Sequence, residues 1–577
     1  MASRTKNAVR NIGWGITYKV STLLLPFVVR TVMIYSLGSE YLGLSSLFTS
    51  VLNVLSLAEL GVGSAMVYAM YKPVAENDTD TVCALLNLYR KIYKIIGTII
   101  IVMGMAIMPF LRNFISGDTP DDVNIYTLFT IYLFNTAGSY LLFAYQASVL
   151  NASQRSDVAS KVNMFTGIIK NLLQIIVLLF WRNYYGYVIL LPITSCAANI
   201  ILAVCARNMY PQYVCRGKVK PQLAKEIKGK VMALFAVKIT SVIYNSVDSI
   251  VISAFLGLVA LAKYNNYYYI MNAVISIVTV VFTSIVSSIG NSIVLESDEK
   301  NYKDYMNLSF VNAWIVGWCT VCLFCLYQPF MRLWVGESLM YEMGVVICFC
   351  VYFYAFQLKS VQSAYKDAAG LWKEDMWRSY VANAFNLVMN IFLVQKIGVY
   401  GILLSTILAL TIITYPWQTW MIHKKLFHCS MWMYIKRLGL YTIITSVACV
   451  ITYGICGLVS GNGVAEFFVK IMICVILPNV IFFVCTFRMK EFSEMVKIAQ
   501  KYWGESKEMK HAYLIMAHDD EWLLKKILKL LDSSLNGIYL HLDRKFDVNV
   551  NEIKNNVKLS KIYCIPRMDI KWGDRTS

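Results

Sequence analysis

Gly13-Trp-Gly-Ile-Thr-Tyr-Lys19-Val-Ser-Thr22-Leu-Leu-Leu-Pro26-Phe-Val-Val-Arg30, running on apolar to Leu37-Gly38, is the stretch on which the reading of the chain turns. It is long enough to cross a hydrocarbon core of about 30 Å, which takes roughly 20 helical residues. Two cations nevertheless lie within it. At about 100° per residue, Gly15, Lys19, Thr22, Pro26 and Arg30 fall on one narrow stripe of a helix. The expectation is a spanning helix with one polar, kinked face and one face on lipid.

A shift of 219 positions brings up a second copy: Lys19 lands on Lys238, Thr22 on Ser241, Pro26 on Asn245, Arg30 on Ser249, and Leu37-Gly38 on Leu256-Gly257. Asp248 is added beside this second stripe. Matching polar stripes at the start of two halves suit a repeat-built transporter whose substrate site lies between the halves. Chance alignment of two apolar helices is the plainer alternative.

Composition sets the class. The 577 residues are 58% hydrophobic and only 15% charged, where a soluble chain is nearer one-quarter charged. Mean hydropathy is +0.55, and a polytopic membrane protein is expected. The first apolar run is too long for a signal h-region and lacks a small-residue cleavage site, so it is read as a retained anchor. The net charge of +19 comes from cations clustered in short loops between apolar runs, which reads as membrane topology and argues against nucleic acid as a partner. Of the fifteen cysteines most lie in apolar runs, including Cys319, Cys322 and Cys325, whose spacing imitates part of an iron-sulfur motif. Within a membrane helix the expectation is small packing residues, with no cluster, no metal and no disulfide framework.

Spanning-length runs occur at about 10–35, 42–70, 88–111, 124–150, 159–181 and 185–207, then at about 231–256, 265–294, 307–331, 340–365, 377–396 and 399–422. Two more, about 434–459 and 464–487, bring the count to about fourteen. Alternate loops are basic: Arg4, Lys6 and Arg10; Lys72, Arg90, Lys91 and Lys94; Arg155 and Lys161; the 208–230 linker; Lys300 and Lys303; Lys366, Lys373 and Arg378; Lys424 and Lys425. Intervening loops carry no more than one cation each, namely Arg112, Arg182, Lys263, Arg332 and Lys396. The positive-inside rule then puts both termini and the linker of this multi-pass chain in the cytoplasm. The expected organisation is a first lobe at 1–207, the linker at 208–230, a second lobe at 231–424, two further spans at 425–488, a charged linker helix at 489–509, and a tail at 510–577. The linker suits either an interfacial helix on an anionic leaflet or a solvated loop.

An ionisable side chain inside a span is costly enough that it usually faces a cavity or a partner. The candidates are Lys19, Arg30, Glu59, Lys170, Lys238, Asp248 and Lys359. Lys170, read as about one turn inside its span, has snorkelling to the interface as its alternative. Glu59 reads as a capping or pairing residue. Lys19, Arg30, Lys238, Asp248, Lys170 and Lys359 make up the proposed substrate-binding set, cationic in balance and suited to a diphosphate, since charge-assisted hydrogen bonds offset desolvation. A P-loop run is missing, so neither ATP hydrolysis nor any other cofactor is expected.

The motifs Leu37-Gly-Ser-Glu-Tyr-Leu-Gly43, Leu57-Ala-Glu-Leu-Gly61, Tyr71-Lys-Pro73, Asn245-Ser-Val-Asp248 and Tyr365-Lys-Asp-Ala-Ala-Gly-Leu-Trp372 resemble those of polysaccharide biosynthesis exporters of the O-antigen flippase type. The resemblance covers about residues 5–488. It implies an all-α, two-lobed multidrug-and-toxin-extrusion-like fold of about fourteen transmembrane helices. It also implies a transporter, not an enzyme, for an undecaprenyl-diphosphate-linked oligosaccharide, working beside membrane lipids, a polysaccharide polymerase and glycosyltransferases. In related lipid II flippases the two extra helices line a groove for the lipid tail. A multidrug exporter of the same fold, and a glycosyltransferase merely anchored by its spans, are the rival readings.

Beyond Arg488 hydrophobicity falls, and strand, helix, strand, strand are expected near 510–518, 521–532, 537–543 and 562–565. Ala512-Tyr-Leu-Ile-x-Ala-His518, Ile538-Tyr-x-His541-x-Asp543 and Ile570-Lys-Trp-Gly573 resemble the N terminus of core-2/I-branching-type glycosyltransferases. Only about 68 residues are covered, without the part that carries that family's catalytic base, so no transferase activity is expected. His518, His541 and Asp543 suit either a metal or sugar-nucleotide site or, more simply, a structural role.

Overall fold

The computed structural model describes residues 2–568 apart from 60, 118, 460, 462, 506–510, 518, 519, 534, 535, 544, 545, 547 and 556; some side chains within its helices, those of 2–9 and most of 233–245 among them, fall outside that description. The chain divides into a helical unit, Met1–Cys485, and a small unit, Thr486–Ser577.

The first lobe of the helical unit holds α1 (Ala2–Ser36), α2 (Ser39–Leu55), α3 (Val62–Ala75), α4 (Thr79–Ile107), α5 (Ile125–Leu141), α6 (Ala147–Ala152), α7 (Ser156–Ile176) and α8 (Tyr184–Met209). The second holds α9 (Pro221–Leu256), α10 (Leu258–Ser284), α11 (Val286–Leu295), α12 (Asp298–Val335), α13 (Met343–Leu358), α14 (Ser360–Ala368), α15 (Trp372–Ile397), α16 (Val399–Leu408) and α17 (Tyr415–Ile422). A hairpin of α18 (Trp432–Leu458) and α19 (Val464–Thr486) follows. Polar residues start several of these helices: the Asp78 carboxylate accepts the Thr81 amide at 3.0 Å, and the Asn183 side chain accepts that of Gly186 at 2.9 Å.

Ten helical stretches among the described residues are long and apolar enough to cross a membrane, and α5 with α6 makes an eleventh across a 46° bend. All fourteen stretches read from hydropathy are helical, so the difference lies in polarity and continuity. The 17 residues of α2 give way to a 3₁₀ turn at Ser56–Glu59. In α15 the buried face carries Asn386 and Asn390 and the first turn carries Glu374 and Asp375. In α9 the stretch that qualifies among the described side chains is Ser246–Leu256, since most of 233–245 fall outside the description.

The linker is half loop and half helix. Residues 210–220 run back over the first lobe, where Asn87 Nδ2 donates to the Gly217 carbonyl at 2.9 Å and Arg216 meets Asp80 at 3.3 Å. From Pro221 the chain is already α9, because proline suits the first turn of a helix, where its missing N–H has no partner to lose.

The 219-residue repeat is visible at the corners. Gly38 (φ +118°) joins α1 to α2, and Gly257 (φ +86°) joins α9 to α10. These positive angles are open to glycine and strained for other residues. The lobes touch near these corners: a Cβ on Gly43 would overlap the Leu258 carbonyl, and the Ser116 amide donates to the Ser253 carbonyl at 2.9 Å. Trp334 Nε1 donates to Thr31 Oγ1 at 2.7 Å.

The small unit begins with α20 (Lys490–Glu505) and continues as β1 (His511–Ala517), α21 (Glu521–Leu530), β2 (Asn536–Asp543), α22 (Val550–Asn555) and β3 (Lys561–Met568). The strands are all parallel in the order β1-β2-β3, the α/β layer expected from the alternation of apolar strand and amphipathic helix. Leu524 and Leu528 of α21 pack on Ile538, Leu540 and Leu542 of β2. The Asp532 carboxylate accepts the amides of Lys558, Leu559 and Ser560, each at 2.7 Å, and so ties the loop before β3. His541 and Asp543 are buried in β2, whereas His518 and 570–573 lie outside the described residues.

Candidate functional site

A cavity of about 380 Å³ lies between the lobes, walled by α1, α2, α7 and α8 on one side and by α9, α10 and α13 on the other. Of the residues singled out from sequence, Arg30, Lys170 and Asp248 line it.

Arg30 reaches it from α1 one turn beyond Pro26, which interrupts the helix's hydrogen-bond ladder. Its Nε donates to Asn266 Oδ1 across the lobe boundary at 2.7 Å, and its guanidinium carbon stands 5.7 Å from the centroid of the Tyr269 ring. The Nη2 atom is buried and has no hydrogen-bond partner. A guanidinium presents a planar fork that matches the oxygens of phosphate or carboxylate, and here only one edge of the fork is engaged.

Asp248 does different work. Asn390 Nδ2 donates to its Oδ1 at 2.7 Å and the Tyr264 hydroxyl to its Oδ2 at 3.3 Å, so its carboxylate ties α9 to α15 and α10 while forming part of the wall. Lys170 stands fourteen residues after Ser156 and eleven before Trp181 in one continuous helical stretch, not one turn from an end. That depth removes snorkelling, and the side chain sits beside Asn171 and Gln174 in the cavity wall.

The other two described lysines are elsewhere. Lys19 is exposed and, with Lys359, lines a second cavity of about 540 Å³ between α1, α10 and α14. Lys19 precedes Arg30 by eleven residues, about 16 Å along a helix, so the polar stripe of α1 serves two cavities instead of one. The Lys238 side chain lies outside the described residues. Glu59 is paired: its Oε1 accepts the Tyr93 hydroxyl at 3.1 Å, and Tyr93 in turn accepts from Tyr89 at 2.7 Å.

The run Tyr264-Asn-Asn-Tyr-Tyr-Tyr269 in the second lobe carries no charge and so does not stand out among the ionisable residues of the spans. Four of its six members, Tyr264, Asn265, Tyr268 and Tyr269, face the central cavity, and Asn266 positions Arg30. Six consecutive amide and phenol side chains within an apolar span were the available signal.

Tyr269 also borders a third space, an apolar groove of about 590 Å³ walled by Leu24 and Phe27 of α1, Ile277 of α10, Leu323 and Phe330 of α12, and Phe467 of α19. Cys319 and Cys322 line this groove as small apolar surface.

The family model described as "Polysaccharide biosynthesis protein" matches residues 8–287. The match takes in the motifs at 37–43, 57–61, 71–73 and 245–248 of the resemblance read from sequence, while the one at 365–372 lies beyond it. Among solved structures, the lipid II flippase MurJ in an inward closed conformation aligns with 81% of this chain and 98% of its own at TM-score 0.60 and 15% identity. An inward-facing multidrug resistance MATE family transporter of the MOP superfamily aligns with 69% of this chain and 93% of its own at TM-score 0.55 and 14% identity. The fold is thus shared with these two transporters. A curated relative, "Uncharacterized membrane protein MJ1068" of Methanocaldococcus jannaschii, is 20% identical over 469 residues, 77% of this chain and 90% of that protein. The polysaccharide-biosynthesis match takes in the first lobe from residue 8 together with α9 and α10, and so every described wall of the Arg30 site except α13.

Proposed function

We propose that the chain is a flippase carrying a lipid-diphosphate-linked oligosaccharide, with an undecaprenyl-type tail, across the cytoplasmic membrane by alternating access between its lobes. The observation that carries this reading is the adjacency of two spaces of opposite character: a polar cavity containing a half-engaged arginine, and an apolar groove on the far side of Tyr269. An amphiphile with an anionic junction between tail and glycan matches that pair. Arg30 receives the diphosphate, Lys170 and the tyrosine-asparagine run face the sugars, and the groove takes the tail. With the N terminus cytoplasmic, Lys19, Lys359 and Lys238 guide the diphosphate inward. The step stands between the glycosyltransferases that assemble an O-antigen, capsule or exopolysaccharide unit and the polymerase that consumes it.

Export of organic cations by the same fold is less well supported. It asks for an acid free to meet the cation, and both oxygens of Asp248 are engaged by Asn390 and Tyr264. The C-terminal unit takes no part in export on this reading, so deleting residues 505–577 should leave it intact at normal membrane levels.

Purified protein in proteoliposomes should move a fluorescent lipid-diphosphate oligosaccharide between leaflets, and Arg30→Ala should slow it. Efflux of organic cations without movement of the cognate glycan lipid would overturn the proposal.

A further inference from the structure

Cys325, read from sequence as a packing residue in a one-helix spacing, meets two cysteines from other helices. Its sulfur and those of Cys456 on α18 and Cys474 on α19 all lie within 4.8 Å of one another, with the Cys456 and Cys474 sulfurs 4.0 Å apart. All three residues are buried.

The meeting has a traceable cause. Pro478 lacks an N–H, so the Cys474 carbonyl one turn earlier has no helical amide to accept from. Two side chains of α12 point their donors at it: Trp318 Nε1 at 3.0 Å and the Cys322 thiol at 3.6 Å. Trp314 Nε1 also donates to Asn479 Oδ1 at 2.8 Å. Gly317 permits this approach, since a Cβ there would stand 2.7 Å from Thr445 Oγ1 and 2.8 Å from the Phe482 ring. With α12 fixed against both helices of the hairpin, Cys325, two turns beyond Trp318, comes level with Cys456 and Cys474.

Three sulfurs bound to one metal in a plane at about 2.3 Å stand about 4.0 Å from each other. The separations here suit that triangle with little movement. Among the described residues no carboxylate or imidazole joins the three sulfurs within the same distance. Thiolates suit copper(I), zinc and iron-sulfur clusters, but zinc in a closed protein site and the clusters each take four protein ligands, so a set of three sulfurs points to copper(I). A cavity of about 380 Å³ bordered by Cys325 and Cys456, and lined also by Gln328, Arg332 and Glu466, offers a polar route to the sulfurs. Lys470, ion-paired with Glu466 one turn before Cys474, lines the same cavity.

We propose that Cys325, Cys456 and Cys474 form a three-coordinate site for a soft d¹⁰ cation, copper(I), that staples α12 to the α18–α19 hairpin. Each sulfur that binds gives up its proton to solvent as its bond to the metal forms, and the copper stays monovalent throughout.

The test uses the full chain, purified in detergent under reducing conditions and titrated with copper(I) against a chromophoric chelator. The wild type should hold one tightly bound copper, with X-ray absorption reporting three sulfurs at about 2.3 Å. Cys474→Ala and Cys456→Ala should weaken that copper at least 100-fold, while Cys319→Ala, in the neighbouring groove, keeps it. If an alanine variant fails to fold, Cys325→Ser answers the same question. Two results overturn the proposal: tight copper retained by a folded Cys474→Ala or Cys325→Ser protein, or a Cys456–Cys474 disulfide in protein isolated with its free thiols blocked.

Discussion

Replacing Arg30 separates a substrate-binding arginine from one that merely joins the lobes. In the structure its Nε is spent on Asn266 and its face on Tyr269, while Nη2 has no partner. A phosphate oxygen at Nη2 would add one charge-assisted hydrogen bond, about 1.5–3 kcal/mol. Arg30→Ala should therefore weaken binding of a lipid-diphosphate by about 10- to 150-fold. Arg30→Lys keeps the charge but loses the planar fork and the stacking on Tyr269, and should fall between alanine and wild type. Asn266→Ala removes the neutral bond that orients the fork, so its loss should be smaller than that of Arg30→Ala, and the double variant should resemble Arg30→Ala alone. Affinity is measured on purified protein with a short-chain lipid-diphosphate, and thermal melts report whether each variant stays folded. If folded Arg30→Ala binds within twofold of wild type, the anion-site reasoning fails. If Arg30→Lys and Asn266→Ala both match Arg30→Ala, Arg30 is a lobe connector only.

Three further outcomes follow from other parts of the fold. Gly43→Val places methyl groups where the Leu258 carbonyl lies, so spin labels on α2 and α10 should report a wider separation at that end of the cavity; an unchanged distance distribution refutes the close approach. Asp157, buried among Arg10, Arg155 and Lys161, should lose about 1–3 kcal/mol of stability on replacement by Ala, less than a fully buried ion pair because the cations are partly exposed. Asp80→Ala, at an exposed pair, is the control that should melt near wild type. In the small unit, desolvation opposes ionisation of Asp532, but the backbone N–H donors of Lys558, Ser560 and Leu559 outweigh it and hold the carboxyl below its ordinary range. A depressed carboxyl contributes stability that is full above its unfolded value of about 3.9 and disappears as pH falls through the folded one. Amide exchange at 558–560 should accordingly be protected at pH 6 and lose protection below about pH 4, and Asp532→Asn should be poorly protected at both; protection that rises on acidification contradicts the assignment.

What was legible in the sequence was what periodicity and cost reveal. Apolar runs of spanning length are helices because only a helix satisfies the backbone polar groups of a spanning segment within that segment. The Leu37-Gly38 and Leu256-Gly257 corners were legible because a positive φ falls so heavily on glycine. Arg30, Lys170 and Asp248 stood out as charges in apolar surroundings, and all three line the central cavity. Partners supplied by a different helix were not legible. Nothing local says that Asn266 meets Arg30, that Asn390 meets Asp248, or that Cys325 leaves its neighbours on α12 for Cys456 and Cys474. The stripe on α1 misled for a related reason: residues on one helical face can be separated along the axis by more than a cavity's length, as Lys19 and Arg30 are.

The repeat also explains why the candidate site is one-sided. Its architectural parts recur: the two glycine corners, and two buried aspartates 218 positions apart, Asp157 held by Arg10, Arg155 and Lys161, and Asp375 held by Arg378 and Lys366. Its chemical parts do not. The position matching Arg30 in the second half is Ser249, which lines the same cavity without a charge. The groove draws on an element outside the two repeats, since Phe467 of α19 lines it. A single arginine beside a single groove breaks the pseudo-symmetry of the cavity and gives an amphiphile one way to lie. Phe27 in the groove and Arg30 in the cavity are three residues apart on α1, about 4.5 Å along the axis, so a tail ending against Phe27 leaves the group bonded to it beside Arg30. On the proposed reading that offset fixes the register of the substrate: tail against Phe27 and Phe467, diphosphate at Arg30, glycan toward Lys170 and Tyr187 in the first lobe. A substrate analogue with a spacer of two or three bonds between tail and diphosphate should then bind more weakly than its parent to the wild type, yet lose less than the parent does on Arg30→Ala.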